Sequence, residues 1–392
     1  MASIWQQLHD QLHQRQSQHL LRRRAVVSSP VGKTAQLDGR QLTVFCSNDY
    51  LGLANHPRLI EASQKAAADY GVGSGASHLV CGHSHLHNEL EQYFAAMTGR
   101  DAALLFSTGY MANLAVISAL LGKQDAVFED RLNHASLLDG GLMSGARFQR
   151  FLHNDTGQLQ LKLVKSAARR KLVCVDGVFS MDGDIAPLNA LAETASTHDA
   201  LLMVDDAHGF GVLGEHGRGV TDLAGLNQQQ VPILMCTLGK AVGSFGALVA
   251  GPQVLIDTLI QYARPYIYTT ALPPTVAGAA LAGLKLIDEE SWRRRHLAEL
   301  VAHFRKEADL LGLPLMASET AIQPLTIGDD QKALQWQNWL AQQGFWVSAI
   351  RPPTVPSGTA RLRITFSAAH SLDDVDALLE VLAKGRQQAD LA

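Results

Sequence analysis

Leu201-Leu202-Met203-Val204-Asp205-Asp206-Ala207-His208 and Ile233-Leu234-Met235-Cys236-Thr237-Leu238-Gly239-Lys240 share one pattern: a short apolar run that stops at groups able to do chemistry. Each run is too short for a buried helix and reads as a strand buried on both faces. In open α/β sheets, ligands gather beyond the carboxyl ends of the strands, so Asp205, His208 and Lys240 are placed at one crevice.

Further runs of the same kind lie at 102–106, 126–128, 171–175 and 247–250, with helical stretches such as 111–121 and 187–197 between them. This alternation predicts parallel strands joined by crossover helices, a large α/β domain over residues 46–275. After Pro273-Pro274 the texture changes. A long helical region (277–311), a strand (322–327), a helix (332–342), a strand (345–350), a proline-rich turn, a strand (361–366) and a helix (372–382) predict a smaller α+β domain over 276–392. Residues 1–45 form an N-terminal helix and arm, and Ile4, Trp5, Leu8 and Leu12, at helical spacing, predict a docked amphipathic helix.

The chain has 392 residues, a formal net charge of −4 and 47% hydrophobic residues, enough for two domains with ordinary cores. So balanced a charge argues against a nucleic-acid partner or an anionic membrane surface. Arg22-Arg23-Arg24 is short enough to be a solvated face. Cys46, Cys81, Cys174 and Cys236 show no paired spacing, which argues against disulfides and zinc and for a reducing compartment. With no apolar stretch of membrane-spanning length and no basic-then-apolar leader, the cytoplasm is the expected location.

Several segments carry candidate chemistry. In Ser107-Thr108-Gly109-Tyr110, a glycine at a strand-to-helix turn lets backbone N–H groups approach a phosphate, or is an ordinary connection; Asn113 is a polar neighbour. His134 is a helix cap or a ring stacked on a flat cofactor. Asp176 to Asp184 superficially resembles a calcium loop, but the glycine is misplaced and no glutamate follows, so a turn presenting Ser180 to the crevice fits better. The glycine-rich stretch 71–77 is a flexible turn; His78, His83, His85 and His87 after it lack the spacing of a helical metal pair, so no metal site is expected. Arg351, on a proline-stiffened loop, is a surface residue or a bidentate clamp for a carboxylate. A lysine that forms a Schiff base, with a carboxylate for a pyridinium nitrogen, is what a pyridoxal phosphate site needs, and Lys240 with Asp205 supplies both.

Taken together, Ser47-Asn48-Asp49-Tyr50-Leu51-Gly52-Leu53, Asp176 to Asp184, Asp205-Asp206-Ala207-His208-Gly209, Arg351-Pro352-Pro353-Thr354-Val355-Pro356 and Thr359-Ala360-Arg361-Leu362-Arg363 resemble the α-oxoamine synthases, a branch of the fold-type I pyridoxal phosphate enzymes. The resemblance covers nearly the whole chain, and the Arg351 loop is its most specific mark. It implies an acyltransferase that condenses L-alanine with a pimeloyl thioester, releasing carbon dioxide, in biotin biosynthesis. It also implies a homodimer with active sites at the subunit interface. Residue by residue, Lys240 would carry the cofactor and Asp205 would pair with its pyridine nitrogen. His134 would stack on the ring, with Ser180 and His208 near the ring hydroxyl. Gly109, Tyr110 and Thr237 would hold the phosphate, with Thr269 and Thr270 reaching in from a partner subunit. Arg351 would bind the amino-acid carboxylate, with Asn48 nearby, and Arg22 would help bind the acyl substrate. The chain departs from the family's usual residues at Asp176, where glutamate is common, and at Ala76, His78 and Cys81. A sister synthase using glycine or serine, and a non-catalytic α/β binding protein, stay open as alternatives.

Overall fold

The computed structural model describes residues 3–22 and 24–388. Arg23, the middle residue of the basic cluster, lies outside them. Strands in chain order are Thr34–Leu37 (β1), Arg40–Val44 (β2), Ala102–Phe106 (β3), Ala126–Asp130 (β4), Arg147–Phe151 (β5), Lys171–Asp176 (β6), Leu201–Asp205 (β7), Ile233–Thr237 (β8), Ala247–Gly251 (β9), Ile322–Gly328 (β10), Phe345–Trp346 (β11), Ser348–Ile350 (β12) and Ala360–Thr365 (β13). Contacts group the chain into two compact units, one of residues 48–180 and 184–296, the other of 1–47, 181–183 and 297–392.

The larger unit is built on a seven-stranded sheet of order β3-β9-β8-β7-β6-β4-β5. Strands β8, β7, β6, β4 and β5 run parallel, and β9 is antiparallel to both neighbours. The apolar runs sit in the middle because both of their faces are covered; Leu202 to Val204 and Ile233 to Cys236 are buried. Strand β5 is absent from the sequence reading. It is an edge strand paired only with β4, and Arg147, Gln149 and Arg150 hide its periodicity. Helix Pro274–Glu289 also belongs to this unit, so the division after His296 falls later than the expected 275/276. Its close fit explains why: a Cβ on Gly278 would lie 3.2 Å from the Ala66 side chain of helix Pro57–Tyr70.

The smaller unit holds two three-stranded sheets, β1-β2-β11 and β10-β13-β12. The expected single strand over 345–350 is two: Phe345 and Trp346 pair with β2, while Ser348–Ile350 pairs with β13. The N-terminal arm folds with this unit rather than alone. The Thr365 N–H donates to the Phe45 carbonyl at 2.8 Å, and the Phe45 ring stacks on His370 at 4.2 Å. The long helical region is broken into Pro274–Glu289 and Trp292–Leu310. The N-terminal helix forms over Ile4–Ser17 but is not docked: it has no buried residue, and Ile4, Trp5, Leu8 and Leu12 are all exposed. Its apolar stripe is narrow, and glutamines and histidines dominate the rest. No helix of the described residues is long and apolar enough to cross a membrane.

One core group makes stability pH-dependent. Burial inside the sheet pushes Glu129 on β4 from its ordinary value of 4.5 up to about 8. A carboxyl raised in this way favours the folded state fully below its unfolded value, and that contribution is lost as pH rises through the folded value. Glu129→Gln should therefore be more stable than the parent above about pH 8, by roughly 5 kcal/mol at most, with the gap closing toward about pH 4.5. Denaturant unfolding at both ends of that range checks it; a pH-independent gap would be the contrary result.

Candidate active site

Beyond the carboxyl ends of β6, β7 and β8 lies a cavity of about 200 Å³, lined among others by Gly109, His134, Asp176, Asp205, His208 and Lys240. Lys240 sits on the loop after β8. That loop is closed by Leu238 N–H to the Gly246 carbonyl and Ser244 N–H to the Leu238 carbonyl, both at 2.8 Å. Gly243 makes the turn possible: its φ is +75°, and a Cβ there would lie 2.6 Å from the Leu53 backbone. The Lys240 ammonium nitrogen lies 2.8 Å from His208 Nε2, and His208 Nδ1 lies 2.6 Å from the Tyr50 hydroxyl. Tyr50 also donates to Asn48 Oδ1 at 3.1 Å.

Asp205 ends β7 opposite Asp176 on β6. Its Oδ2 accepts from Asn113 Nδ2 at 2.7 Å and its Oδ1 from the Ala207 N–H at 3.0 Å. Burial, then the neighbouring Asp205, pushes Asp176 well above the usual carboxylate range. Two carboxyls side by side in low dielectric do not both ionise readily. Asp176 accepts the His134 N–H at 2.9 Å, anchoring the residue that caps helix Ala135–Met143. His134 is exposed and lines the cavity, with the Tyr110 ring edge-on to its own at 6.4 Å.

Gly109 opens helix Gly109–Leu120, capped by Thr108 Oγ1, which accepts from Met111 N–H at 3.1 Å. A Cβ on Gly109 would meet the Met235 side chain at an ordinary 3.5 Å and the Ala247 side chain at 4.0 Å, so packing does not demand a glycine there. What the missing side chain leaves open is the approach to the helix N-terminus, where an anion is favoured. Tyr110 donates to Asp139, and Thr237 and Ser180 complete the wall.

A cavity of about 150 Å³ accepts benzene, so this one has room for a flat six-membered ring. Its walls suit pyridoxal phosphate: a carboxylate for the pyridine nitrogen, an imidazole, a helix end for the phosphate and an amine for the aldehyde.

A match to the family model of class I and II aminotransferases spans residues 40–382. A curated 8-amino-7-oxononanoate synthase from Cellvibrio japonicus is 61% identical, over 95% of this chain and 94% of that one. The chain belongs to the 8-amino-7-oxononanoate synthase family. A relative from Hahella chejuensis with the same description is 56% identical over 100% of this chain and 98% of its own. Among solved structures, a serine palmitoyltransferase from S. paucimobilis with PLP and myriocin bound aligns with a TM-score of 0.93 at 30% identity, covering 98% of this chain and 99% of that one. An 8-amino-7-oxononanoate synthase from Francisella tularensis aligns with a TM-score of 0.78 at 32% identity, over 88% and 98%. The fold is that of the fold-type I transferases, and the family's cofactor is pyridoxal 5′-phosphate.

Other sequence-singled residues lie elsewhere. Thr269 and Thr270 do not line the cavity of their own chain; Thr270 forms a bridge with Ser77. In the smaller unit, Arg22 donates to Thr354 Oγ1 at 3.1 Å. Among the described residues, Arg351 Nε and Nη1 are buried without a hydrogen-bond partner; burial lowers its pKa against the pull of Asp330, with a smaller push from Arg22. Asp182 pairs with Arg361, and Asp184 lies 2.8 Å from His153. His78, His83 and His87 come together, with ring nitrogens within 4.8 Å of one another. Both nitrogens of His87 are committed, Nδ1 to the Ser84 N–H at 2.8 Å and Nε2 to the Leu272 carbonyl at 2.6 Å. Tyr50, Ser136 and Asp176 were given no part by sequence reasoning. Tyr50 meets His208 across 158 residues, and no local spacing signals such a pair.

Proposed function

We propose that the chain condenses L-alanine with a pimeloyl thioester, on coenzyme A or a carrier protein, to give 8-amino-7-oxononanoate, carbon dioxide and the free thiol for biotin biosynthesis. When bound, pyridoxal phosphate supplies an electron sink for the bonds at the alanine α-carbon. Lys240 would hold the cofactor through its amine and, when free, would take the α-proton of alanine as general base, with His208 Nε2 beside its nitrogen. Asp205 keeps a proton on the pyridine nitrogen, and His134 covers the ring. Gly109, Tyr110 and Thr237 receive the phosphate. The observation that carries the reading is the convergence of Lys240, Asp205 and His134 on one cavity, in a chain so similar to synthases of this description along its whole length.

Arg351 binds the alanine carboxylate and holds it until decarboxylation. A partly buried guanidinium with two nitrogens that lack a hydrogen-bond partner among the described residues, flanked by Asp330 and Arg22, has donors to offer a carboxylate. Arg22 meets the acyl donor, and Asn48 helps position alanine. A second copy of the chain completes the site with Thr269 and Thr270, making the enzyme a homodimer. Four cysteines without a disulfide suit the cytoplasm.

Titrating the purified enzyme with L-alanine should perturb its visible spectrum, and pimeloyl-CoA should then release carbon dioxide. Release with glycine or serine and another acyl-CoA, but not with alanine, would assign it to a sister synthase. Arg351→Lys should raise the alanine KM on the order of tenfold, because a point charge cannot replace the planar fork. An unchanged KM removes Arg351 from the site.

A further inference from the structure

Behind the cavity wall, one amide group joins the two residues expected to embrace the cofactor ring. Asn113 is fully buried in helix Gly109–Leu120, and its Nδ2 donates to Asp205 Oδ2 at 2.7 Å and to Ser136 Oγ at 2.9 Å. Its own Oδ1 has no hydrogen-bond partner among the described residues. The amide thus forgoes an acceptor bond in order to aim both N–H bonds at acceptors, which fixes its orientation. Ser136, also fully buried, spends an acceptor site on Asn113, so its single proton is left for His134 Nδ1, 2.7 Å away. The Ser136 N–H points at the same Nδ1, at 3.3 Å. A ring nitrogen facing two donors has no room for a proton of its own.

We infer that Asn113 and Ser136 form a positioning relay that holds His134 as the neutral Nε2–H tautomer and ties that state to the Asp205 carboxylate. Asp205 and His134 take their roles here from the proposed function. The relay gives those roles mutual consistency. A protonated imidazole over a protonated pyridine ring would set two cations face to face, and the proton that Asp205 keeps on the ring would be opposed. Partial burial lowers the His134 pKa, in the same direction, against the pull of Asp205 and with a push from Lys240. The sequence marks Asn113 only as a polar neighbour of the Gly109 turn; its link to Asp205, 92 residues away, is visible only in the fold.

Nitrogen-15 spectra of histidine-labelled, cofactor-loaded protein test this directly, with the His134 signals identified by their loss in His134→Gln. The parent should show an unprotonated Nδ1 and a protonated Nε2 from about pH 6 to 8. Ser136→Ala should shift the tautomer equilibrium by about fivefold or more toward Nδ1–H, the effect of losing one buried hydrogen bond. Asn113→Ala should shift it the same way, and the double variant should add little to Ser136→Ala, since both act through one hydroxyl. A purely structural role would lower cofactor retention or stability and leave the tautomer alone. A proton on Nδ1 in the parent, or an unchanged equilibrium in Ser136→Ala, would overturn the relay. Failure of alanine turnover in a parent that keeps this nitrogen signature would count against the proposed function and support the relay.

Discussion

Lys240→Ala should lower turnover by at least about 10⁴-fold and abolish the visible absorbance of covalently held cofactor. The lysine is asked to do two things that no neighbour duplicates: hold the cofactor through its amine and take the α-proton of alanine. His208 lies 2.8 Å from the amine, but its other nitrogen faces Tyr50, so it is placed to assist the lysine rather than replace it. The fold should tolerate the change. The loop around Lys240 is closed by backbone bonds of Leu238, Ser244 and Gly246, and its tightest turn depends on Gly243, none of which the substitution touches. Cofactor should still enter, held by Asp205 and the helix end at Gly109, but should wash out on dialysis. A purified variant with near-parental turnover would refute the mechanism, and a variant that no longer folds would be recognised by its unfolding transition before any kinetic reading.

How much of this was legible beforehand follows from where each signal lies. The strands that carry Asp205 and Lys240 announce themselves because both faces are buried, leaving uninterrupted apolar runs with a functional group at the end. Strand β5 does not, because an edge position lets Arg147, Gln149 and Arg150 stand in it. The helix Ile4–Ser17 was legible as a helix, but its docking was not: periodicity reports a face and not whether the fold offers a groove for it. In the site, the residues expected to touch cofactor end strands or open helices, positions that short motifs mark. The residues that orient them do not. Ser136 acts through a side chain directed at His134 and Asn113, and Asp176 through a backbone N–H 42 residues away, so only the folded chain brings them together. The three histidines at 78, 83 and 87 show the converse: residues given no common role by their spacing are brought together by the π-helical segment His78–Gly82 and the helix that follows it.

Asp205→Asn should leave a folded, cofactor-binding protein whose turnover falls on the order of 10³-fold, with the loss concentrated in proton removal from alanine. The carboxylate's contribution to catalysis is its charge, which keeps a proton on the pyridine nitrogen, and a neutral amide of nearly the same shape removes that charge with little change of volume. Deuterium exchange at the alanine α-carbon, measured without acyl donor, isolates the step. The neighbouring Asp176 should not rescue the variant. It is held well above the usual carboxylate range by burial and by Asp205, and even if loss of Asp205 let it ionise, it is already engaged by the His134 N–H at 2.9 Å. The substitution also turns an amide nitrogen or oxygen toward Asn113 Nδ2, where only an acceptor fits. The introduced amide should therefore settle with its oxygen there and its NH₂ against the Ala207 N–H. That leaves two donors facing each other, a cost of about 1–3 kcal/mol visible as a lower unfolding midpoint. Near-normal exchange in a variant with that stability loss would separate the two effects and show that the charge of Asp205 is not what drives proton abstraction.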